Sequence, residues 1–190
     1  AEAIMTDRGE IALRDEPARW YRRALGEDIS AARPWELTDA LIDHVVITGG
    51  SGAIGLSYAR YLAAHGAARI TVLSRHGLDA ATVAELSAHG TRIDAPPCDI
   101  TDPTHLAATA GACAGAGATL VIHAAGNASF APRAEVTGAA LVVVTAAKYT
   151  GLDGFVRTWP IHRGAPILLC SSVIGVWGGK GTAGYAAATR

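Results

Sequence analysis

This sequence has little lysine, no long apolar run and no metal-type cysteine spacing. These absences exclude several classes of protein. The 190 residues carry a net charge of −1, which gives no electrostatic basis for binding nucleic acid or an anionic membrane. No unbroken apolar run approaches the roughly 20 residues that span a bilayer, and AEAIMTDRGE does not have the pattern of a signal peptide. The three cysteines have no metal-ligand spacing, so we expect no metal site and a reduced, cytoplasmic setting.

The composition is that of a folded chain, with 50% hydrophobic and 17% charged residues. From His44 onward, short β-branched runs alternate with stretches that are apolar at helical spacing. The predicted strands are HVVIT, ARITVLSR, TRIDAPPCDI, TLVIHAAG and APILLCSS. Such alternation predicts an α/β fold, a Rossmann-like doubly wound parallel sheet with helices on both faces.

Residues 1–43 differ from the rest of the chain. They hold most of the acidic residues and two of the four tryptophans, Trp20 and Trp35, but no glycine-rich turn. DISAARPWELTDAL is typical of a linker. We therefore predict that residues 1–43 end one structural unit and that residues 44–190 form the core of the next.

The segment Gly50-Ser51-Gly52-Ala53-Ile54-Gly55 fits the pattern G-x-G-x-x-G. It follows a predicted strand and opens a predicted helix, which is the context that indicates a dinucleotide site. Glycine lets the backbone approach a pyrophosphate, and the helix N-terminus supplies unpaired N–H donors and partial positive charge. The competing interpretation is a glycine turn that serves only tight strand–helix packing.

The end of the second strand indicates which nicotinamide cofactor would bind. NAD sites usually carry an acid there for the ribose 2′-hydroxyl, whereas this strand ends Leu73-Ser74-Arg75. A guanidinium offers fixed charge and a donor fork for a 2′-phosphate, which favours NADPH. Asp99, after the third strand, is placed to meet the adenine. Arg75 as a surface arginine and Asp99 as a turn aspartate are the alternatives.

Ser172, Tyr185 and Lys148 lie where strands and helices of such a sheet would bring them together. Lys148, one of only two lysines, precedes Ser172 by 24 residues, and Tyr185 follows it by 13. A phenol can donate a proton to a carbonyl being reduced, a nearby ammonium favours its phenolate, and a serine hydroxyl can orient the carbonyl oxygen. Taken singly, each could be a cap, a packing residue or a surface group; the nearby cofactor loop favours a catalytic role.

Several stretches together resemble the ketoreductase domain of a modular polyketide synthase, in the short-chain dehydrogenase/reductase superfamily. They run in the family's order and are VVITGGSGAIG, TVLSRHG, CDITD, VIHAAG, the lysine of AAKYTG, and LLCSSVIGVWGGKGTAGYAAAT. The resemblance implies NADPH-dependent reduction of a β-ketoacyl thioester on an acyl carrier protein, beside other synthase domains.

The resemblance also assigns residues. It implies that Ser172, Tyr185 and Lys148 are catalytic and that Trp177 orients substrate. The implied cofactor-binding residues are Gly50, Ser51, Gly52, Ile54, Gly55, Ser74, Arg75, Asp99, Ile100, Ala124, Ala125 and Gly126. Residues 1–43 resemble, more loosely, the last part of the structural subdomain that precedes such a core. The family's fold has further strands and a lid, so we expect the core to be C-terminally incomplete and to continue beyond residue 190.

Two sequence features refine the expected activity. The family usually has an asparagine four residues after the tyrosine, where it orders a water for the proton relay, but this chain has Thr189; we expect slower turnover. HAAGNASFAPRAEV lacks the Leu-Asp-Asp-like motif of one stereochemical type, and Trp177 stands eight residues before Tyr185 as in the other. The resemblance therefore implies an A-type enzyme that makes an L-configured hydroxyl.

Two other functions remain open at this stage. One is a reductase-like domain that binds cofactor but serves structurally in a megasynthase, and Thr189 is the feature in its favour. The other is a free-standing carrier-protein ketoreductase of the fatty-acid type. The linker-bearing N-terminal segment and the absence of a Tyr-x-x-x-Lys pattern argue against the second.

Overall fold

The chain folds into two units in a computed structural model. The structure describes Glu2–Met5, Ile11–Arg14 and residues 37–189. The units are Ala1–Leu37 and Thr38–Arg190. In the first, β1 (Glu2–Met5) pairs antiparallel with β2 (Ile11–Arg14). Trp20, Trp35 and most of the predicted linker lie outside the described residues. The predicted division at residues 43 and 44 stays a prediction.

The second unit alternates strands with helices. Its strands are β3 (His44–Thr48), β4 (Arg69–Leu73), β5 (Arg92–Asp94), β6 (Leu120–His123) and β7 (Ile167–Leu169). Its helices are α1 (Ala53–Ala64), α2 (Ala80–Ser87), α3 (Pro103–Cys113), α4 (Gly138–Ala146), α5 (Leu152–Thr158), α6 (Ile174–Trp177) and α7 (Ala183–Thr189). The predicted parallel sheet is confirmed: all five strands are parallel, in the order β5-β4-β3-β6-β7.

The strand order reverses between β3 and β6, the two strands at the centre of the sheet. Because parallel crossovers are right-handed, the reversal puts α1 and α2 on one face and α3 and α5 on the other. Both central strands are buried throughout, as strands covered on two faces should be. The reversal opens a crevice at the carboxyl ends of β3 and β6, which is where doubly wound sheets bind ligands.

An aromatic pair anchors the helical stretch that leads to β7. Phe155 on α5 is fully buried, and its ring stacks on that of Trp159 with centroids 5.5 Å apart. Both rings lie in the cluster of buried residues that includes Ile100, Leu106 and Val121. Burying side chains of this size stabilises the fold by roughly 2–3 kcal/mol each, so the pair fixes α5 firmly against the rest of the unit.

The helical stretch that the sequence predicted before the fifth strand is continuous but not uniform. Between α4 and α5, residues Ala147–Gly151 form a π-helical turn. An 18-residue window of the stretch Gly138–Thr158 has a mean hydropathy of 1.3, so by length and composition alone the stretch could cross a membrane. It is interrupted by Lys148, Asp153 and Arg157 and packs on α3 and α7, so we describe it as a helical layer of the sheet unit.

Candidate functional site

The glycine-rich turn after β3 brings two backbone segments into close contact. Gly49 has a φ of +69°, and a Cβ built on it would lie 2.5 Å from the backbone N and Cα of Ala125. A Cβ on Gly55 would lie 2.5 Å from Gly50 Cα. Glycine is therefore required at both positions. Gly49 was not predicted from the sequence as a site residue, although the Gly-Gly doublet directly after a strand was a usable signal.

The helix that follows this turn begins without a side-chain cap. Asp79, Asp102 and Thr137 cap α2, α3 and α4 by accepting backbone N–H bonds. At α1 the capping position is Gly52, which has no side chain to accept such a bond, and the first turn holds no acid. The first N–H groups of α1 are thus left free of a capping side chain, which suits an anionic ligand.

A cleft of about 450 Å³ opens at this end of the sheet, beside the turn. Nine of the residues predicted to bind cofactor line it: Ser51, Gly52, Ser74, Arg75, Asp99, Ile100, Ala124, Ala125 and Gly126. The other lining residues were not singled out from the sequence: Gly49, Leu73, Cys98, Thr101, Asn127, Val143, Ala146 and Ala147. The cleft walls therefore come from the ends of β3, β4 and β6, the loop after β5, and the helical stretch.

Three of the predicted cofactor residues lie elsewhere. Gly50 sits behind the turn, where a Cβ would lie 2.3 Å from Val72 Cγ1, and Gly55 packs under Gly50. Both therefore shape the turn and do not line the cleft. The side chain of Ile54 is 58% exposed and lines a separate depression along α1. A role for Ile54 at the cofactor would thus rest on its backbone N–H.

Two charged side chains, Arg75 and Asp99, line the β4 side of the cleft. Arg75 is exposed directly after β4, where Ser74 Oγ donates to the carbonyl of Gly77 at 2.9 Å and shapes the turn. Asp99 Oδ1 accepts from Thr101 Oγ1 at 2.7 Å and from its N–H at 2.9 Å. These two bonds, with a smaller contribution from Arg75, hold the pKa of Asp99 below its usual value.

Lys148 lies at the junction between the cleft and the loop that carries Ser172. Its Nζ donates to the carbonyl oxygen of Cys170 at 2.6 Å. A Cβ built on Gly126 would lie 3.0 Å from Lys148 Cε, so the side chain passes closely over the end of β6. Burial lowers the pKa of Lys148. This lysine was predicted from the sequence as a site residue, and the structure brings it to the carboxyl ends of β6 and β7.

His123 shares this end of β6 and is buried. Its Nδ1 is 2.7 Å from Thr48 Oγ1, while its Nε2 has no hydrogen-bond partner among the described residues. Burial, and after it the positive charge of Lys148, lowers the pKa of His123 to about 4. The ring is therefore neutral at physiological pH and places no second positive charge beside the lysine.

Ser172 and Tyr185 lie on the segments that follow β7. The ladder with β6 ends when the N–H of Cys170 donates to His123, so Ser172 lies in the loop beyond the strand and not at its end as predicted. Its Oγ is 3.3 Å from the N–H of Ile174, which donates to it. Tyr185 is half-buried on α7, with its ring centroid 6.3 Å from that of Phe130.

Thr189 and Trp177 complete the set of predicted residues. Thr189 is buried on α7, and its hydroxyl donates back to the carbonyl of Tyr185 at 3.0 Å. Trp177 ends α6 and is exposed. Between residues 37 and 189, no hydrogen bond joins Ser172, Tyr185 and Lys148 directly. The structure thus brings the three onto adjoining segments without pairing their side chains.

The parallel sheet, its strand order and the crevice at the β3–β6 reversal define the Rossmann-like fold of the short-chain dehydrogenase/reductase type. An NAD⁺-bound xylitol dehydrogenase that is 20% identical shares this fold, with a TM-score of 0.66 over 78% of this chain and 60% of that one. A model of the KR domain family matches residues 44–190. The chain belongs to this family of ketoreductase domains.

The relatives are modular polyketide synthases. Erythronolide synthase EryA3 of Saccharopolyspora erythraea is 35% identical over 98% of this chain, and polyketide synthase GfsB of Streptomyces halstedii is 37% identical over 94%. The chain spans only 6% and 3% of their respective lengths. The predicted membership of the polyketide synthase ketoreductases is confirmed.

Solved ketoreductases agree with this assignment. PlmKR1, from the first module of phoslactomycin biosynthesis in Streptomyces sp. HK803, is 34% identical with a TM-score of 0.68 over 77% of this chain. A structure described as an A-type ketoreductase from a modular polyketide synthase is 36% identical, with the same TM-score and coverage. The chain covers 35% and 33% of those two proteins.

Proposed function

We propose that this chain is the catalytic core of an NADPH-dependent ketoreductase that reduces a β-ketoacyl thioester to a β-hydroxyacyl thioester. The observation that carries the proposal is the position of Lys148. Its stem passes over Gly126 in the cofactor cleft, while its ammonium reaches Cys170, two residues before Ser172. One cation is thereby shared by the cofactor cleft and the loop of the proposed catalytic serine.

The cleft fits a nicotinamide dinucleotide. The contact between Gly49 and Ala125 leaves no room for side chains where a pyrophosphate would approach, and the uncapped start of α1 offers N–H donors to it. Arg75 is exposed at the end of β4, where a 2′-phosphate would lie, and supports NADPH over NADH. When bound, the dihydronicotinamide supplies the hydride for the β-carbon.

The proton chemistry is assigned to this chain's own side chains. Ser172 donates a hydrogen bond to the carbonyl oxygen and orients it, and Tyr185 delivers the proton to that oxygen as the alkoxide develops. Lys148 remains a fixed positive charge that stabilises the phenolate of Tyr185 and holds the cofactor ribose. The neutral ring of His123 leaves that charge without a competing neighbour.

The proposed substrate is carried on an acyl carrier protein within a multidomain synthase, in the cytoplasm. The support is that the relatives at 35–37% identity are polyketide synthases far longer than this chain. The proposed product is the L-configured alcohol of an A-type enzyme. Trp177 on the exposed end of α6 and the likeness to A-type ketoreductases support this assignment, and chiral analysis showing a D-configured alcohol would contradict it.

The proposal is tested by following NADPH oxidation with a β-ketoacyl thioester surrogate in the full-length protein. The native protein should consume NADPH in preference to NADH, and the Tyr185→Phe variant should lose at least 100-fold in rate, roughly the contribution of a positioned proton donor. Equal rates for the two proteins would instead favour a domain that binds cofactor and serves structurally.

A further inference from the structure

Three hydrogen bonds connect the segments that carry the proposed catalytic residues, and each runs from a side chain to a backbone carbonyl. Lys148 donates to Cys170 at 2.6 Å, Tyr149 Oη donates to Ala187 at 2.8 Å, and Ser171 Oγ donates to Thr189. Tyr149 and Ser171 are the chain neighbours of Lys148 and Ser172. The segments of Lys148 and Ser172 are therefore each hydrogen-bonded to α7, the helix that carries Tyr185.

The bond from Tyr149 has no evident role in packing. The side chain is 54% exposed, so it contributes little to the core, yet its hydroxyl reaches the carbonyl of the residue two positions after Tyr185. An exposed phenol that bonds only to water gains as much as one that bonds to protein, so such a contact adds little to global stability. What the contact does fix is the spacing between the lysine turn and α7 at Ala187.

The π-helical turn Ala147–Gly151 carries both Lys148 and Tyr149. Lys148 points to β7 and Gly126, and Tyr149 points to α7. Gly151 ends the turn against the cleft wall, where a Cβ would lie 2.9 Å from Cγ1 and Cδ1 of Ile100. Turns of this kind are concentrated at functional sites, where they redirect single side chains.

We propose that Tyr149 is a positioning residue, which sets the separation of Tyr185 from Lys148 by fastening α7 at Ala187 to the lysine turn. The inference rests on the proposed function for its effect on the rate, but the fastening itself is a property of the fold. Proton delivery depends steeply on placement, since small displacements of an acid from its acceptor lower the rate by an order of magnitude or more. Loss of the hydroxyl should therefore slow the chemical step and leave cofactor binding unchanged.

The test is the Tyr149→Phe variant of the full-length protein, with Tyr61→Phe as the matched control. Tyr61 lies on α1, away from the site, and its side chain is exposed to nearly the same extent, 52%. We expect kcat to fall by about threefold to tenfold in Tyr149→Phe, with KM for NADPH within twofold of native. Amide hydrogen exchange within Ala183–Thr189 should become faster, and the control should match the native protein in both.

The two readouts separate the failure of the inference from that of the proposed function. If the native protein shows no reduction that depends on Tyr185, the proposed function fails, and exchange in α7 still decides whether Tyr149 fastens the helix. If the native protein is active, an unchanged kcat in Tyr149→Phe overturns the inference. Equal losses in kcat and cofactor affinity, or a loss shared by Tyr61→Phe, would also overturn it, because they indicate a general structural role.

Discussion

At the scale of single residues, the hydrogen bond that Thr189 makes gives a physical reason for the slower turnover that we expect from the proton relay. The threonine is 7% exposed, and its hydroxyl is already donated to the carbonyl of Tyr185. A hydroxyl that donates back to its own helix can hold a water only by accepting from it, whereas an amide has two N–H donors and an acceptor oxygen. The residue is therefore unable to substitute fully for the asparagine that the family usually has at this position.

Two substitutions at position 189 should therefore have different effects on kcat. Thr189→Asn should raise kcat by about threefold, a modest gain for restoring one relay site, whereas Thr189→Val, of similar shape, should leave kcat unchanged. Steady-state NADPH oxidation in the full-length protein measures both. If the valine variant is slowed while the asparagine variant is not faster, the hydroxyl takes part in the relay and the argument is wrong.

Candidate residues could be named from the sequence where the chemistry restricts the choice, and their catalytic roles stay predictions. Few side chains donate a proton to a carbonyl, and the scarcity of lysine made Lys148 conspicuous. The contacts of Gly126 with Lys148 and of Tyr149 with Ala187 were not predictable, because each depends on what another segment places within about 3 Å. Sequence spacing reports position along the chain and carries no information on such contacts between segments.

At the scale of elements, the π-helical turn couples the cofactor cleft to the lysine. Gly151→Ala would place a methyl group 2.9 Å from Ile100, whose side chain lines the cleft. Overpacking of this size forces side chains to move, and we expect Ile100 to shift toward the cleft. We expect the Kd for NADPH to rise by about fivefold, which corresponds to about 1 kcal/mol.

The matched control for this prediction is Gly138→Ala. Gly138 begins α4, and a Cβ there would have no neighbour within 4 Å. Fluorescence titration of NADPH compares the two variants with the native protein. Similar affinities for native and Gly151→Ala would show that Ile100 moves away from the cleft or does not contact the cofactor.

The order of the strands and helices could be predicted from the sequence, but the π-helical turn and the early end of β7 could not. Alternating periodicity predicted all five strands of the sheet and the helices between them. Apolar spacing cannot distinguish a π-helical turn from an α-helix, because one inserted residue leaves the composition unchanged. The predicted fifth strand was too long at its end, since β6 stops at His123, whose carbonyl accepts from the N–H of Cys170, and offers no partner to the residues after Cys170.

At the scale of the whole molecule, two buried histidines make stability depend on pH. Burial lowers the pKa of His123 to about 4 and, with Arg69 contributing, lowers that of His44 from the ordinary value of 6.5. The folded chain therefore keeps the ring of His123 neutral down to about pH 4 and binds a proton at His44 less readily than the unfolded chain does, while the unfolded chain takes up protons on both rings as pH falls below 6.5. Stability is full above that pH and is lost progressively down to about pH 4.

The expected loss attributable to His123 is about 3 kcal/mol across this range. Urea unfolding at pH 7.5 and at pH 5 measures most of it, and this window lies above the pKa of Asp99, which is itself lowered from 3.8. The His123→Asn variant should be less stable at pH 7.5 but vary less between the two pH values. An unchanged pH dependence in that variant would show that burial does not lower the pKa of His123.

The central claim is that Tyr185, Ser172 and Lys148 together transfer hydrogen from a nicotinamide cofactor to a β-carbonyl. The most direct measurement uses NADPH deuterated at the transferable position of the nicotinamide, with a β-ketoacyl thioester and the full-length protein. Mass spectrometry should find one deuterium on the β-carbon of the hydroxyacyl product, and Tyr185→Phe should abolish its formation. NADPH binding without deuterated product, or equal product from both proteins, would contradict the claim.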